Sequence, residues 1–342
     1  MSVLEEEMLT CVLCGGSASK ISEPFEGYVE GYVIEILECG SCSARFSSRL
    51  DVPDWLYDRI YAQAELIPGY GRYARYEAGV TEHRRPLDLL AEAEDPYWHV
   101  REYIAAQSAP QALRVVELGC GAGYLTYALR RAGIQCVGVD ISAEAISRAR
   151  TRSGHAEWFQ TVEEFQQDRG AVDLVVALEL IEHVPDPVAV VRDALAMLGT
   201  DGALLLTTPD RDACRPGEVW ASDAPPVHLY WLGRRALQAV ADRCGAVVEF
   251  PLVRPSSSHR PVPAANHLWP AILTADGDVT ESVRRSVRLS ARLRLHAAAM
   301  LWRLATAASP QRTRRVRRLG AAAPEPAATL AAVLRRPPET RD

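Results

Sequence analysis

The chain has 342 residues, 48% of them hydrophobic and 24% charged, with a net charge of −6. That length can bury a full core and leaves room for one catalytic domain with additions. No stretch approaches the roughly twenty apolar residues that span a bilayer, and the acidic start M-S-V-L-E-E-E-M-L-T lacks the apolar segment of a signal peptide. The expectation is a cytoplasmic protein whose cysteines are thiols or metal ligands and not a disulfide framework.

The net charge hides a division. Residues 281–342 hold fourteen Arg against four acidic side chains, a net of +10 that leaves −16 for the rest. An acidic body therefore carries one basic segment.

In chain order, the first feature is Cys11-x-x-Cys14 and Cys39-x-x-Cys42 around the alternating run from Tyr28 to Leu37. Two such knuckles joined by a hairpin predict a zinc ribbon over 1–50, with four thiolates closing a tetrahedral, structural site. Lys20, Arg45 and Arg49 are its cations, too few for phosphate-driven nucleic-acid binding. Residues 51–110 are rich in Tyr and Trp with helical spacing, a connector expected to pack over the mouth of the following domain. Its aromatics either anchor a small core or offer a substrate wall, because their flat apolar faces carry polar tips.

From Leu113 strands and helices alternate, which predicts a doubly wound parallel sheet. Strands are expected at 113–118, 135–139, 156–159, 172–178, 203–208 and 246–251, with a last one at 328–334. Between the first strand and a helix opening near Tyr124, Gly119, Gly121 and Gly123 allow a tight turn and close approach to a ligand. The second strand ends in Asp140, about twenty residues on, where a carboxylate meets a ribose diol. Glu117 beside the turn would repel a pyrophosphate and suits a cation, such as the ammonium of a methionine moiety.

E-L-G-C-G-A-G-Y (117–124) with V-G-V-D-I-S (137–142) resembles the cofactor half of class I S-adenosylmethionine-dependent methyltransferases. The likeness continues through V-D-L-V-V-A-L-E-L-I-E-H-V-P-D-P (172–187), A-L-L-L-T-T-P-D (203–210) and P-P-V-H-L-Y-W-L (225–232). It implies a seven-stranded, mostly parallel Rossmann-like α/β sheet over 111–252 plus about 327–336. The last two strands would then be antiparallel, with 253–326 inserted between them. Glu117, Gly119 and Gly121 would hold the methionine end, with Gly123 near its carboxylate, Asp140 at the ribose and Ile141 against the adenine. Thr161, Val162 or Glu163 would add a contact after the third strand, and Leu178 and Glu179 another at the end of the fourth.

His183 and His228 are the candidate catalytic residues, since an imidazole near neutral pKa can take a proton as a methyl group arrives. His228 lies among Pro225, Pro226, Leu229, Tyr230 and Trp231, apolar bulk that excludes water, and Asp223 could orient it. His183 could equally cap the turn before Pro185. E-L-I-E-H also resembles ubiquinone-pathway O-methyltransferases, which implies a magnesium site at Glu179, Glu182 and His183. The cysteine module with this catalytic half resembles methyltransferases of polysaccharide and glycolipid assembly and the sugar C-methyltransferases of natural-product pathways. The latter place Glu immediately before the corresponding histidine, where this chain has Val227. O-methylation of a sugar-like, lipid-linked or secondary-metabolite hydroxyl is therefore expected over C-methylation. A regulatory, non-catalytic module is the rival class; intact Glu117, Gly119, Gly121 and Asp140 argue for a working cofactor site.

Finally, residues 281–304 set Val283, Val287, Leu289 and Leu293 against Arg284, Arg285, Arg288 and Arg292 on opposite helical faces. Such a helix, with the arginines up to 318, suits an anionic membrane surface at the inner face. Docking on the acidic body is the second reading, and an acidic partner such as RNA the third.

Overall fold

A computed structural model describes residues 9–67, 70–165, 171–213, 218–220, 224–251, 261–263, 271–286 and 329–337. The N-terminal part is a set of very short strands: β1 (Leu9–Thr10), β2 (Ser17–Lys20), β3 (Phe25–Glu26), β4 (Val33–Ile34), β5 (Ile36–Cys39) and β6 (Arg45–Ser47). Four helices follow: α1 (Leu56–Ala62), α2 (Gly71–Glu82), α3 (Pro86–Ala93) and α4 (Asp95–Ala105). Pro86 opens α3 and Pro96 sits in the first turn of α4, positions that lack an intrahelical N–H partner in any case.

The alternating half comprises β7 (Arg114–Leu118), α5 (Tyr124–Arg131), β8 (Gln135–Asp140), α6 (Ala143–Ser153), β9 (Phe159–Thr161), the single turn α7 (Val162–Phe165), β10 (Val172–Leu178), α8 (Pro187–Met197) and β11 (Leu198–Pro209). β12 (Glu218–Trp220), β13 (Tyr230–Trp231), α9 (Arg234–Arg243), β14 (Val247–Glu249), β15 (Pro261–Pro263) and β16 (Thr329–Arg335) complete the order. Seven strands form one sheet in the order β14-β16-β11-β10-β7-β8-β9. β16 runs antiparallel to both β11 and β14, pairing Leu334 with Leu204 and with Val248, and the other pairs are parallel. This is the mostly parallel, doubly wound sheet that the resemblance implies, completed by a strand that returns late in the chain.

Alternate residues of the central strands serve opposite faces. Val116, Val175 and Leu204 pack with Val191 of α8 and Val240 of α9. Val115, Leu174, Val176 and Leu205 pack with Val100 and Ile104 of α4 and with Leu125 and Leu129 of α5. Burial on both faces explains why these strands read as continuous apolar runs and not as alternating ones.

Three boundaries differ from expectation. The third strand is Phe159–Thr161, because Ala156–Trp158 form a 3₁₀ turn that stacks His155 on Trp158 with ring centroids 3.7 Å apart. β11 begins five residues early. The cysteine module's sheet, β1-β2-β5-β6-β13, takes its last strand from residues 230–231 of the catalytic half. Residues 271–286 lie on the same side, with Ile272 N–H donating to Tyr28 and Gln63 bonded to Gly277 and Val279. Of the expected amphipathic helix, residues 281–286 are helical with Val283 buried; the remainder, like Asp223, lies outside the described residues. No helix among the described residues is long and apolar enough to cross a membrane.

Candidate active site

Strands β7 and β8 end side by side, and each delivers a carboxylate. Between β7 and α5 the chain turns through Gly119, Gly121 and Gly123, with φ of 69°, 51° and 75°. At Gly123 only glycine fits, since a Cβ would sit 2.3 Å from a ring carbon of Phe159. Glu117 is buried beneath α5 and accepts hydrogen bonds from the backbone N–H (2.8 Å) and the hydroxyl (2.5 Å) of Thr126. Burial pushes its carboxyl up to about 8, against the pull of the Thr126 bonds. Gly138 makes this contact possible, because a Cβ there would lie 2.6 Å from the Thr126 hydroxyl. Neither Thr126 nor Gly138 belongs to the glycine motif, so the sequence offered no spacing signal for them.

Asp140 is buried and accepts from Gly121 N–H and Ser142 N–H, both at 2.8 Å. Burial raises its carboxyl above the ordinary value while those two N–H groups oppose the rise. The next residue, Ile141, is 67% exposed, the most open of the large apolar side chains described. The pairing of Asp140 with Thr161 brings Val162 to the same carboxyl edge of the sheet. Two buried carboxylates beside a bare glycine turn, with an uncovered isoleucine next to one of them, form a cradle that favours a cation, a diol and a flat apolar group.

Helix α1 lies over this cradle. Ser142 donates its hydroxyl to Asp58 at 2.5 Å, and Arg148 donates to the Tyr61 carbonyl at 2.6 Å. The Tyr61 hydroxyl is 2.8 Å from where a Cβ on Gly121 would stand. An open groove of about 460 Å³, lined by Asp58, Arg59, Ala62, Ala143 and Glu144, continues from this edge. Asp58 and Tyr61 are site residues that composition alone did not single out. Other connector aromatics serve packing: Tyr73 stacks on Tyr124 at 6.0 Å, and Tyr76 packs edge-on against Tyr124 and donates to Glu94.

A second cluster stands beyond the fourth strand. Leu178 ends β10, and Glu179 follows at φ 47°, a left-handed conformation held by its N–H bond to the Thr207 carbonyl. Leu180 then abuts the glycine turn, 2.9 Å from where a Cβ on Gly119 would be. Glu182, buried, receives Leu229 N–H and Tyr230 N–H on its backbone carbonyl. His183 Nδ1 lies 2.8 Å from the Val227 carbonyl. A carbonyl only accepts, so Nδ1 carries a proton, and Nε2 is left 3.8 Å from a Glu182 carboxylate oxygen. The His183 and His228 rings are 4.5 Å apart, and ligand-type atoms of Glu182, His183 and His228 all lie within 4.8 Å of one another.

The structure thus brings the two candidate histidines together, with Glu182 as the acid beside them. Glu179 is not among the three residues whose ligand atoms converge. The group that does converge is one carboxylate and two imidazoles, and the magnesium set of Glu179, Glu182 and His183 stays what the resemblance implies. Magnesium prefers an all-oxygen shell, and the convergent set does not offer one.

The four cysteines also converge. Cys11 and Cys42 sulfurs are 3.8 Å apart, those of Cys14 and Cys39 3.4 Å, and all four lie within 4.8 Å of one another. Backbone N–H groups of Gly16 and Ser41 point at the sulfurs of Cys14 and Cys39, bonds that orient thiolates and spread their negative charge. The donor set fits a tetrahedral zinc ion.

A family model described as a methyltransferase domain matches residues 85–249. Proteins named ubiquinone biosynthesis O-methyltransferase, from Xanthomonas campestris pv. campestris (strain B100) and Xanthomonas axonopodis pv. citri (strain 306), are 35% and 34% identical over 149 residues. These matches cover 38% of this chain and 62% of each relative, so the chain spans less than two thirds of those relatives' length. Among solved structures, a chain of the complex between the Haloferax volcanii Trm112 methyltransferase activator and a methyltransferase is 17% identical. That match covers 84% of this chain and 100% of the other, with a TM-score of 0.45. Magnesium protoporphyrin IX methyltransferase from Synechocystis PCC 6803 is 18% identical over 57% of this chain and 92% of its own, with a TM-score of 0.37. Residues 85–249 thus match a methyltransferase domain, and the strand order and glycine turn are those of the Rossmann-like sheet of class I S-adenosylmethionine-dependent methyltransferases.

Proposed function

We propose that the chain methylates a hydroxyl oxygen of a sugar-like, lipid-linked or secondary-metabolite acceptor. The observation that carries this reading is one turn that joins two sites: Leu180 touches the glycine turn of the Glu117–Asp140 cradle at Gly119, and two residues on Glu182 begins the Glu182–His183–His228 cluster. Oxygen as the methylated atom is supported by the name of the curated relatives. When bound, S-adenosylmethionine supplies a methyl carbon on a positively charged sulfur. Glu117 and the turn at Gly119 and Gly121 hold the cationic methionine end, Asp140 accepts from the ribose hydroxyls, and Ile141 covers one face of the adenine. Val162, Leu178 and Glu179 border the same edge. His228 would take the proton of the acceptor hydroxyl as the carbon–oxygen bond forms and the methyl carbon–sulfur bond breaks, its electron pair leaving on a neutral thioether. Glu182 would offer the resulting imidazolium a counter-charge. His183, fixed by Val227, holds the pair in register.

Glu117 gives this reading a pH signature. In the free protein its carboxyl titrates at about 8 because it is buried. A cation bound beside it lowers that value, so binding drives a proton off Glu117. Affinity for S-adenosylmethionine should therefore rise with pH up to about 8, by up to about tenfold per unit, and level off above it. Glu117→Gln should flatten that slope in calorimetric titrations. A flat profile in the wild type would remove Glu117 from the cation site.

We further propose one structural zinc per chain at Cys11, Cys14, Cys39 and Cys42. Elemental analysis of protein purified without chelator should find one zinc, and a Cys11→Ser/Cys39→Ser variant should have none. Absence of zinc in the wild type would refute the site. Turnover should be the same with and without added magnesium, given the imidazole-rich cluster. Peripheral contact of residues 281–318 with anionic lipid stays a proposal from the sequence, tested by sedimentation with vesicles. Methyl-labelled cofactor supplied with candidate acceptors, followed by mass spectrometry, identifies the substrate; label on carbon would favour the sugar C-methyltransferase reading.

A further inference from the structure

We propose that the four-cysteine module is a positioning element of the acceptor site. Metal occupancy at Cys11, Cys14, Cys39 and Cys42 fixes strand β6, and β6 in turn fixes the loop that carries His228. The inference rests on the reading of His228 as an acceptor-side residue.

The link is short in sequence and in space. Cys39 ends β5, the second knuckle turns through Ser43 at φ 60°, and β6 begins at Arg45, three residues after Cys42. Cys39 N–H donates to the Ala44 carbonyl across that turn. β6 then pairs with the catalytic half: Phe46 with Tyr230, Arg45 with Trp231, and Ser47 N–H donating to the Leu229 carbonyl at 2.8 Å. Leu229 is the residue after His228. The other end of the loop is held by the same module, since Tyr28 N–H donates to the Pro225 carbonyl at 2.7 Å. His228 therefore sits between two clamps that both belong to residues 25–47.

Side chains tighten the link. Arg45 is fully buried and donates to Glu38 at 2.6 Å. The other Glu38 oxygen receives Arg211, whose own N–H bonds the Leu232 carbonyl. From α9, Arg235 reaches the Ser41 carbonyl and Arg243 the Val12 carbonyl, one in each cysteine knuckle. Cys11, Cys39, Cys42, Phe46, Tyr230 and Leu232 share one apolar core with the main sheet.

Strands of two to four residues cannot hold their own register in water, so the order of β6 must come from the metal and this shared core. Removing the ion should loosen the His228 loop while the cradle at Glu117 and Asp140, built on the long central strands, stays intact.

The test is hydrogen exchange on the full chain, compared as purified, after chelator removes the zinc, and after zinc is restored. Metal loss should speed exchange in residues 224–232 by about tenfold or more, leave 174–178 protected, and be reversed by zinc. Affinity for S-adenosylmethionine should change by less than about twofold over the same series. Arg45→Met, with zinc still bound, should also speed exchange in 224–232, and Arg45→Lys should restore part of the protection. Unchanged exchange in 224–232 while residues 9–47 loosen would overturn the proposal, as would wild-type exchange in zinc-loaded Arg45→Met. Loss of cofactor affinity together with the zinc would also overturn it, because the effect would then not be specific to the acceptor side. Failure of zinc-loaded wild type to bind the cofactor at all would instead refute the methyltransferase reading.

Discussion

His228→Ala is expected to lower turnover by about 10²–10⁴-fold, the usual contribution of a positioned base. The geometry sharpens the expectation. His228 is buried 4.5 Å from His183, with the Glu182 carboxylate in the same cluster and Tyr230 and Trp231 pinned behind it by β6. Cofactor affinity should barely change, because His228 is not among the residues that form the glycine turn or the Glu117–Asp140 cradle. His183→Ala should give a smaller loss of turnover together with lower thermal stability, since it frees the Val227 carbonyl that Nδ1 now satisfies. The check is single-turnover kinetics on the identified acceptor with both variants. Wild-type turnover in His228→Ala would end its role as base and move that role to His183.

Asp140→Ala is expected to weaken S-adenosylmethionine binding by about 1.5–3 kcal/mol, roughly 10- to 150-fold, as charged hydrogen bonds to the ribose are lost. The loss has a second source in this structure. Asp140 also accepts from Gly121 N–H and Ser142 N–H, so its removal slackens the glycine turn and the start of α6. Asp140→Asn keeps an acceptor and should recover part of the affinity. Glu117→Ala should weaken binding too, most at and above about pH 8, where the free carboxyl is already ionised, by taking away the counter-charge for the methionine end. Wild-type affinity in both alanine variants would leave the cradle without a ligand.

Much of the cradle was legible in the sequence. The glycine turn, the strand ending in Asp140 and the carboxylate at Glu117 are local features, each decided by neighbours within a few residues. Seven strands could be placed because buried parallel strands read as apolar runs, and the shift of the third to Phe159 reflects a turn whose stacking of His155 on Trp158 has no periodic signature. What the sequence did not show was contact between distant segments. Asp58 and Tyr61 reach the site only because α1 folds back over Ser142 and Gly121, and no spacing rule links residue 58 to residue 142. The resemblance groups Glu182 and His183 with Glu179, and no local pattern announces that the first two also converge with His228, some forty-five residues on. The pairing of Tyr230 with Phe46 is likewise a two-residue strand, too short to carry an alternation.

The most direct test of the account is calorimetric titration of the zinc-loaded wild-type chain with S-adenosylmethionine near pH 7.5, followed by displacement with S-adenosylhomocysteine. The account predicts one cofactor bound per chain, competed by the demethylated product at the same site. A chain that is folded and zinc-loaded yet gives no binding heat, and no shift in melting temperature with either compound, would contradict it.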